Sequence, residues 1–526
     1  MSKTNGFPQI GIVIGQTKTD KLTFEASRPI SIGEYVIMLN SEHKKVLGVV
    51  ESSSVKSEAL SDDIANFEEA LESKQVADEN RRDKSYKANV KILGFLDELQ
   101  KSKAILPDIP PLPGTEVFEA RPDELNNIFN PIKNEWLKIG TLLRQKKVDV
   151  KININKVATR HLGILAMTGM GKSNLVTLVA KSISEIPGTM IIFDYHDDYK
   201  GLNISNVNFV PAQINPRLLS IDEFAEVIEI RDMADLQKTV LSKAFDDELK
   251  KKTEDDFWQT LEGNIESIGN TEKRNKSSVE RVKDKIREAR RKLRNILQVN
   301  TSNPLAMIKE GKVNVVSLLE FNEKQANVAI AFYLKSLLAD RKNAKDQMNN
   351  KVTNNNNKNV CGNNDFVYFR NPIIVVIEEA HVFIPKQEYS DAKYFAAKVA
   401  REGRKFGMGL IVVTQRPRSV DPNVLSQMGS LAIMKIIQQE DQSQISSASE
   451  SLNTELIEHL PSLNPGDSLL IGQWVNLPAF VRIDEVKDRI MGADPDPVKE
   501  WKHGQAQNEM AQESTQSYIR KGYVYD

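Results

Sequence analysis

The chain has 526 residues, more than one ordinary core needs, so two or three domains are expected. Hydrophobic residues make up 40% and charged residues 27%, and the formal net charge is −1. Bulk charge therefore does not mark a nucleic-acid binder; such a surface must come from local segregation of 71 basic from 72 acidic side chains.

Cys361 is the single cysteine, which excludes an intrachain disulfide and a cysteine-rich zinc site and fits a reducing, cytoplasmic setting. The first residues, MSKTNGFPQIGIVIG, lack the apolar core of a signal peptide. No apolar run approaches the ~18 residues of a membrane span, so no membrane partner is expected. Residues 8 to 55 read as short strands, IGIVIG, KLTFEA, EYVIML and VLGVVE, separated by turns. That spacing predicts a small antiparallel barrel. Residues 61 to 85 are charged and helix-forming, an insertion on the barrel, and ILPDIPPLPGT is a proline-rich connector. WLKIGTLL and VDVKINI are read as completing the barrel and leading out of it, with the boundary near residue 155.

From residue 161 the pattern changes. LGILAM is a buried-strand run, followed by a glycine turn, then NLVTLVAKSISEI at helical spacing and GTMIIFDY as another buried strand. This order, with nearly all-apolar strands, predicts an α/β core whose mostly parallel sheet is covered on both faces. A helical interruption follows at about 217–300. Its last part places Val279, Val282, Ile286, Ala289, Leu293 and Ile296 on one apolar stripe among lysines and arginines. The sheet pattern resumes with KVNVVSL, PIIVVIEEA and GLIVVTQ, interrupted by an asparagine-rich loop at 349–364, and the chain ends in a polar tail, 500–526.

AMTGMGKS fits the phosphate-loop pattern except that Ala166 stands at its first position. Gly169 and Gly171 let the backbone curl so that amides of Thr168 to Asn174, Met170 included, converge at a helix N-terminus, where polyphosphate is favoured. Lys172 reaches the β- and γ-phosphates of ATP, and Ser173 offers a hydroxyl to Mg2+. PIIVVIEEA ends an apolar strand in two acids: Glu378 to hold Mg2+, Glu379 to orient or deprotonate the attacking water. Gln415 ends the GLIVVTQ strand beside them, placed to sense the γ-phosphate. Asp194, at the end of MIIFDY, is either catalytic or structural. Arg401, Arg404 and Lys405 cluster at a helix end, and Arg160 precedes the first strand; an arginine from a neighbouring subunit would neutralise transition-state charge, but only in an oligomer.

The loop MTGMGKSN, the strand end DYHDDY, VIEEAHVFIP, REGRKFGMGLIVVTQRP and LNPGDSLLIG together resemble the HerA family of archaeal hexameric DNA translocases, related to FtsK and to type IV secretion ATPases. The resemblance implies a RecA-like P-loop NTPase core, an N-terminal β-barrel and an inserted helical bundle. It also implies a homo-hexameric ring with ATP and Mg2+ between neighbours, duplex DNA in the pore, and a NurA-type nuclease partner in double-strand break resection. Within it Lys172 and Ser173 match the phosphate loop, Glu379 the catalytic acid, Asp194 a second acid, Gln415 the sensor, Arg404 the trans arginine and Arg160 a further arginine at the site. The asparagine-rich loop and the charged barrel insertion depart from the pattern. Two other readings remain at this level: a secretion-type or remodelling ATPase that moves protein, and a nucleotide switch, against which the paired glutamates and the arginines argue.

Overall fold

The computed structural model describes residues 8–486, apart from 81–82, 231–233, 246–248, 250–256, 272–275, 301–302, 354–365, 450–451 and 453. The tail 500–526, Cys361 and most of the asparagine-rich loop lie outside the described residues. Among the described residues six strands close an antiparallel barrel in the order β1-β2-β5-β4-β3-β6. They are β1 (Gln9–Ile14), β2 (Lys21–Ala26), β3 (Tyr35–Leu39), β4 (Lys45–Ser57), β5 (Lys84–Phe95) and β6 (Glu116–Glu119). Alternation fills the barrel: Leu22, Phe24 and Ala26 of β2 face Ala88, Val90 and Ile92 of β5 inside one cluster. The charged insertion forms a helix, Phe67–Glu79, capped by Asn66, which accepts from the Glu69 amide.

The second body is a sheet of eleven strands, in the order β11-β12-β10-β13-β14-β9-β15-β16-β17-β7-β8. Its strands are β7 (Trp136–Leu142), β8 (Asp149–Asn153), β9 (Leu162–Leu165), β10 (Thr189–Asp194), β11 (Val207–Pro211), β12 (Val313–Ser317), β13 (Ile373–Ile377), β14 (Met408–Thr414), β15 (Ser430–Ile433), β16 (Asp467–Gly472) and β17 (Ala479–Ile483). From β11 to β15 all pairings are parallel; from β15 to β8 they are antiparallel. Every residue of β9, β10, β13 and β14 is buried, as a sheet covered on both faces requires.

One expectation is corrected. The strands read as completing the barrel, β7 and β8, join the large sheet instead, with β7 on β17 (Leu142 opposite Val481). Ile139, Leu142, Val150 and Ile152 pack in one core with Leu175 and Val179 of the helix after the glycine turn. The large-sheet core thus begins at β7, ahead of the boundary placed near residue 155. Alternating apolar residues name a strand but not the sheet it joins.

The helical interruption is present between β11 and β12. The stripe Val279, Val282, Ile286, Ala289, Leu293 and Ile296 is buried as its spacing requires, in the same core as the stacked rings of Phe224 and Phe245, 4.6 Å apart. The helix Glu323–Thr353 runs into the start of the asparagine-rich segment.

Candidate active site

The parallel strands end at one edge, and the predicted site residues gather there. The glycine turn joins β9 to the helix Lys172–Glu185. Gly169 and Gly171 have φ of +77° and +106°, which side chains rarely adopt, and a Cβ on Gly169 would meet nothing within 4 Å. That open cradle at a helix N-terminus is the shape a polyphosphate needs. The Lys172 ammonium lies 3.3 Å from the carbonyls of Ala166 and Met167, inside its own loop. Burial lowers its pKa, and Glu379, Glu378 and Asp198 pull the other way. A half-buried lysine held only by two long carbonyl contacts and facing three acids is placed to accept a polyanion.

β13 delivers the two acids. Glu378 is buried, and the Tyr199 hydroxyl donates to its Oε1. Desolvation pushes its pKa up to about 7, with the Tyr199 bond opposing. A carboxyl so poised ionises fully beside a cation, which suits the Mg2+ role with Ser173. Glu379 leaves the strand with φ +47° and ψ +45°, in the left-handed region, which turns its side chain away from the strand's alternation. Burial raises its pKa, Lys172 opposes, and its buried Oε2 lacks a well-aligned hydrogen bond. This orphaned carboxylate oxygen beside the lysine is the arrangement a general base for water requires.

β14 delivers the sensor. Thr414 accepts from the Ala166 amide through its carbonyl, and the Gln415 side chain is hydrogen-bonded to the Thr168 hydroxyl. Gln415 therefore touches the phosphate loop directly.

Other predicted residues sit differently. Both oxygens of the buried Asp194 accept backbone amides, from Asp198 and Tyr199 at 3.0 Å each. The carboxylate closes the turn that presents Asp198 and the Tyr199 hydroxyl, which is a structural job for this residue. The Asn174 side chain is also committed: it donates to Asp484 O at 2.9 Å and accepts from the Val486 amide at 3.0 Å. The side chain therefore ties the exit of β17 to the phosphate-loop helix and leaves the backbone amide of Asn174, in the first turn of that helix, as its part in the phosphate loop. Arg160 and the exposed Arg404 lie at the opposite edge of the sheet, before the first residues of β9 and β14. Seven residues of β14, about 20 Å at ~3.3 Å per residue, separate the two edges.

Tyr199 and His381 were not assigned roles from sequence. The signals were present: a tyrosine five residues after the strand-ending Asp194, and a histidine two after Glu379. Neither spacing reveals which atoms meet. Among the described residues no cluster of three His, Cys, Asp or Glu side chains forms a metal site by itself. No helix among them is long and apolar enough to cross a membrane.

A phosphate loop at a parallel-strand terminus, a strand-end glutamate beside its lysine and a sensor amide on the adjacent strand define a P-loop ATPase. The model of the HerA helicase central domain matches residues 137–337. The chain is 37% identical to the DNA double-strand break repair helicase HerA of Saccharolobus solfataricus, over 94% of this chain and 95% of that protein. It is 31% identical to the protein of the same name from Pyrococcus furiosus, over 91% and 92%, and 31% identical to a probable helicase of Methanocaldococcus jannaschii, over 94% of each. Among solved structures it is similar to VirB4 of Thermoanaerobacter pseudethanolicus, with 14% identity and a TM-score of 0.48 over 68% of this chain and 98% of that one. The chain belongs to the HerA helicase family.

Proposed function

We propose that this chain is the subunit of a cytoplasmic homo-hexameric ring motor that uses ATP hydrolysis to translocate along double-stranded DNA, with a NurA-type nuclease as partner in processing DNA ends. The observation that carries the ATPase reading is the convergence of Lys172, Glu378, Glu379 and Asp198 at the phosphate loop. The DNA reading is supported by relatives, 37% and 34% identical, that are named as DNA double-strand break repair helicases.

Bound Mg2+–ATP supplies the electrophilic phosphorus and the cation that offsets charge on its oxygens. The amides of Thr168 to Lys172 and the Lys172 ammonium hold the phosphates; Ser173 and Glu378 hold the cation. Tyr199 fixes the Glu378 carboxyl through its hydroxyl. Glu379 accepts the proton that the attacking water loses. Gln415, anchored on Thr168, reports whether the γ-phosphate is in place.

The remoteness of Arg160 and Arg404 from their own phosphate loop supports a shared site. An arginine at the far edge can serve catalysis only in another subunit's pocket, as a ring with nucleotide between neighbours provides.

The test is steady-state ATP turnover with duplex DNA, with an unfolded protein and with neither. Duplex DNA alone should raise the rate. Stimulation by protein and not by DNA would favour the secretion-type or remodelling motor.

A further inference from the structure

His381 stands where the acid strand meets the sensor strand. It lies on the short helix Ala380–Phe383 after β13. Its Nδ1 is 3.1 Å from Glu379 Oε2 and 3.2 Å from Thr414 Oγ1. One ring nitrogen thus faces two oxygens with different demands. The carboxylate can only accept, whereas the threonine hydroxyl can donate. Thr414 Oγ1 already accepts from the Arg416 amide at 3.0 Å, which leaves its own proton for another partner.

A neutral imidazole satisfies one of these oxygens at a time. In this structure Nδ1 is aligned on Thr414 and Glu379 Oε2 has no aligned partner; with Nδ1 protonated, a tilt of the ring would let it donate to Glu379 across the 3.1 Å gap. Protonated on Nε2, it accepts from Thr414 and leaves Glu379 Oε2 unpaired. Burial keeps the ring neutral by pulling its pKa down to about 4, aided by Arg416, Lys172 and His196.

We propose that His381 is a positioning residue that toggles the catalytic base. With Nδ1–H on Glu379 the carboxylate is held and accepts a further proton poorly. With Nδ1 turned to Thr414 the carboxylate is free to take the proton of the attacking water. Thr414 adjoins Gln415, which is bonded to Thr168 of the phosphate loop. The toggle therefore connects the base to the segment that touches the nucleotide. The inference rests on Glu379 being the base.

The test uses Thr414→Val, His381→Ala and the double variant in the full chain, each assayed for ATP turnover with and without duplex DNA. Valine matches threonine in shape but cannot donate to Nδ1. Thr414→Val should keep the base held: kcat falls about 10-fold or more, part of the ~10²–10⁴ a general base supplies, while KM for ATP stays within about two-fold. His381→Ala should raise DNA-free turnover and bring the stimulated-to-basal ratio close to one. In the double variant, removal of the ring should restore turnover to the His381→Ala level.

A merely structural role would give losses that add, with no rescue. Wild-type kcat in Thr414→Val, or a double variant slower than both singles, would overturn the toggle. Glu379→Gln in parallel separates the two ideas. If it still hydrolyses ATP, the base assignment has failed. If it is inactive while Thr414→Val is normal, only the toggle has failed. If His381→Ala does not fold, the isosteric Thr414→Val decides alone.

Discussion

Acidification should loosen the contact that holds the far edge of the sheet together, and His161 is the group that senses it. The residue links the helix Ile154–Arg160 to β9 at φ +62° and ψ +162°, a region that residues other than glycine seldom enter. Its ring is buried. The Leu410 amide donates to Nδ1 at 3.0 Å, which puts the proton on Nε2, and Nε2 donates to the Ala400 carbonyl at 3.0 Å. The imidazole therefore ties β14 to the helix Asp391–Phe406, which carries Arg404. A second proton would go on Nδ1, directly against the Leu410 N–H. Desolvation pulls the pKa from 6.5 to about 4, and the bond to Ala400 offsets only part of that. The unfolded chain takes up the proton near pH 6.5 and the folded chain only near 4. The stabilisation is thus complete above pH 6.5 and is lost as pH falls through that window. The full span corresponds to about 3 kcal/mol at ~1.36 kcal/mol per unit, of which about 2 kcal/mol is lost by pH 5. His161→Phe removes the titration and leaves the Leu410 amide and Ala400 carbonyl unpaired, a cost of about 2–4 kcal/mol at pH 7. Urea unfolding of both proteins at pH 7 and pH 5, at fixed ionic strength, measures the gap between them. It should shrink by about 2 kcal/mol on acidification. A gap that stays constant or widens refutes the assignment of a neutral, doubly bonded His161.

Lys172→Ala should nearly abolish ATP turnover with an unchanged circular dichroism spectrum, because the side chain holds only loop carbonyls; misfolding would instead assign it a structural role. Glu379→Gln should block hydrolysis and still bind an ATP analogue at near wild-type affinity, read by fluorescence titration, because binding rests on the phosphate loop. Duplex-DNA affinity should fall steeply with salt, by about 0.9 log units per log unit for each phosphate neutralised, and a flat response would count against DNA as the track. Mixing the inactive Lys172→Ala and Arg404→Ala proteins under subunit exchange should restore part of the turnover, since some interfaces then pair an intact phosphate loop with an intact arginine; no recovery in rings shown to be mixed would sink the assignment of Arg404 to a neighbour's site.

Much of the core was legible because its signals are local. Five apolar residues ending in two acids, or two glycines before GKS, specify a strand terminus whatever lies around it. The stripe from Val279 to Ile296 was legible for the same reason, since helical spacing alone reveals a buried face. Sheet membership was not legible. β7 and β8 alternate as a barrel strand would, and only pairing with β17, more than 300 residues later in sequence, assigns them to the large sheet. β5 was passed over because Lys84, Lys87 and Lys91 interrupt it, although Ala88, Val90 and Ile92 line the barrel. Within the site, residue types were readable and partnerships were not. The side chains of Asp194 and Asn174 have the chemistry of nucleotide ligands, yet they hydrogen-bond to backbone groups of the Asp194–Tyr199 turn and of the β17 exit. Tyr199 and His381 are unremarked residues of quoted motifs until their oxygen partners are known.

Sheet polarity decides how the arginines can act. In a parallel sheet every strand starts at one edge and ends at the other, so a residue just before a strand cannot reach the site that the same strand's end builds. Arg160 precedes β9 and Arg404 precedes β14, while the phosphate loop and Gln415 follow those strands. The separation is enforced by packing: a Cβ on Gly409 would lie 2.8 Å from the Ala158 Cα, so the helix bearing Arg160 rests directly on β14. Gly407 caps the Arg404 helix at φ +65°, and His161 pins that helix to Leu410. Both arginines are thus mounted on the start of one fully buried strand whose other end carries Thr414 and Gln415. Flexing a strand hydrogen-bonded along both sides and packed on both faces costs far more than moving it as a unit. Under the ring reading, an arginine engaged with a neighbour's nucleotide and a sensor engaged with its own are therefore joined by a buried strand paired on both sides, and no loop needs to carry the link.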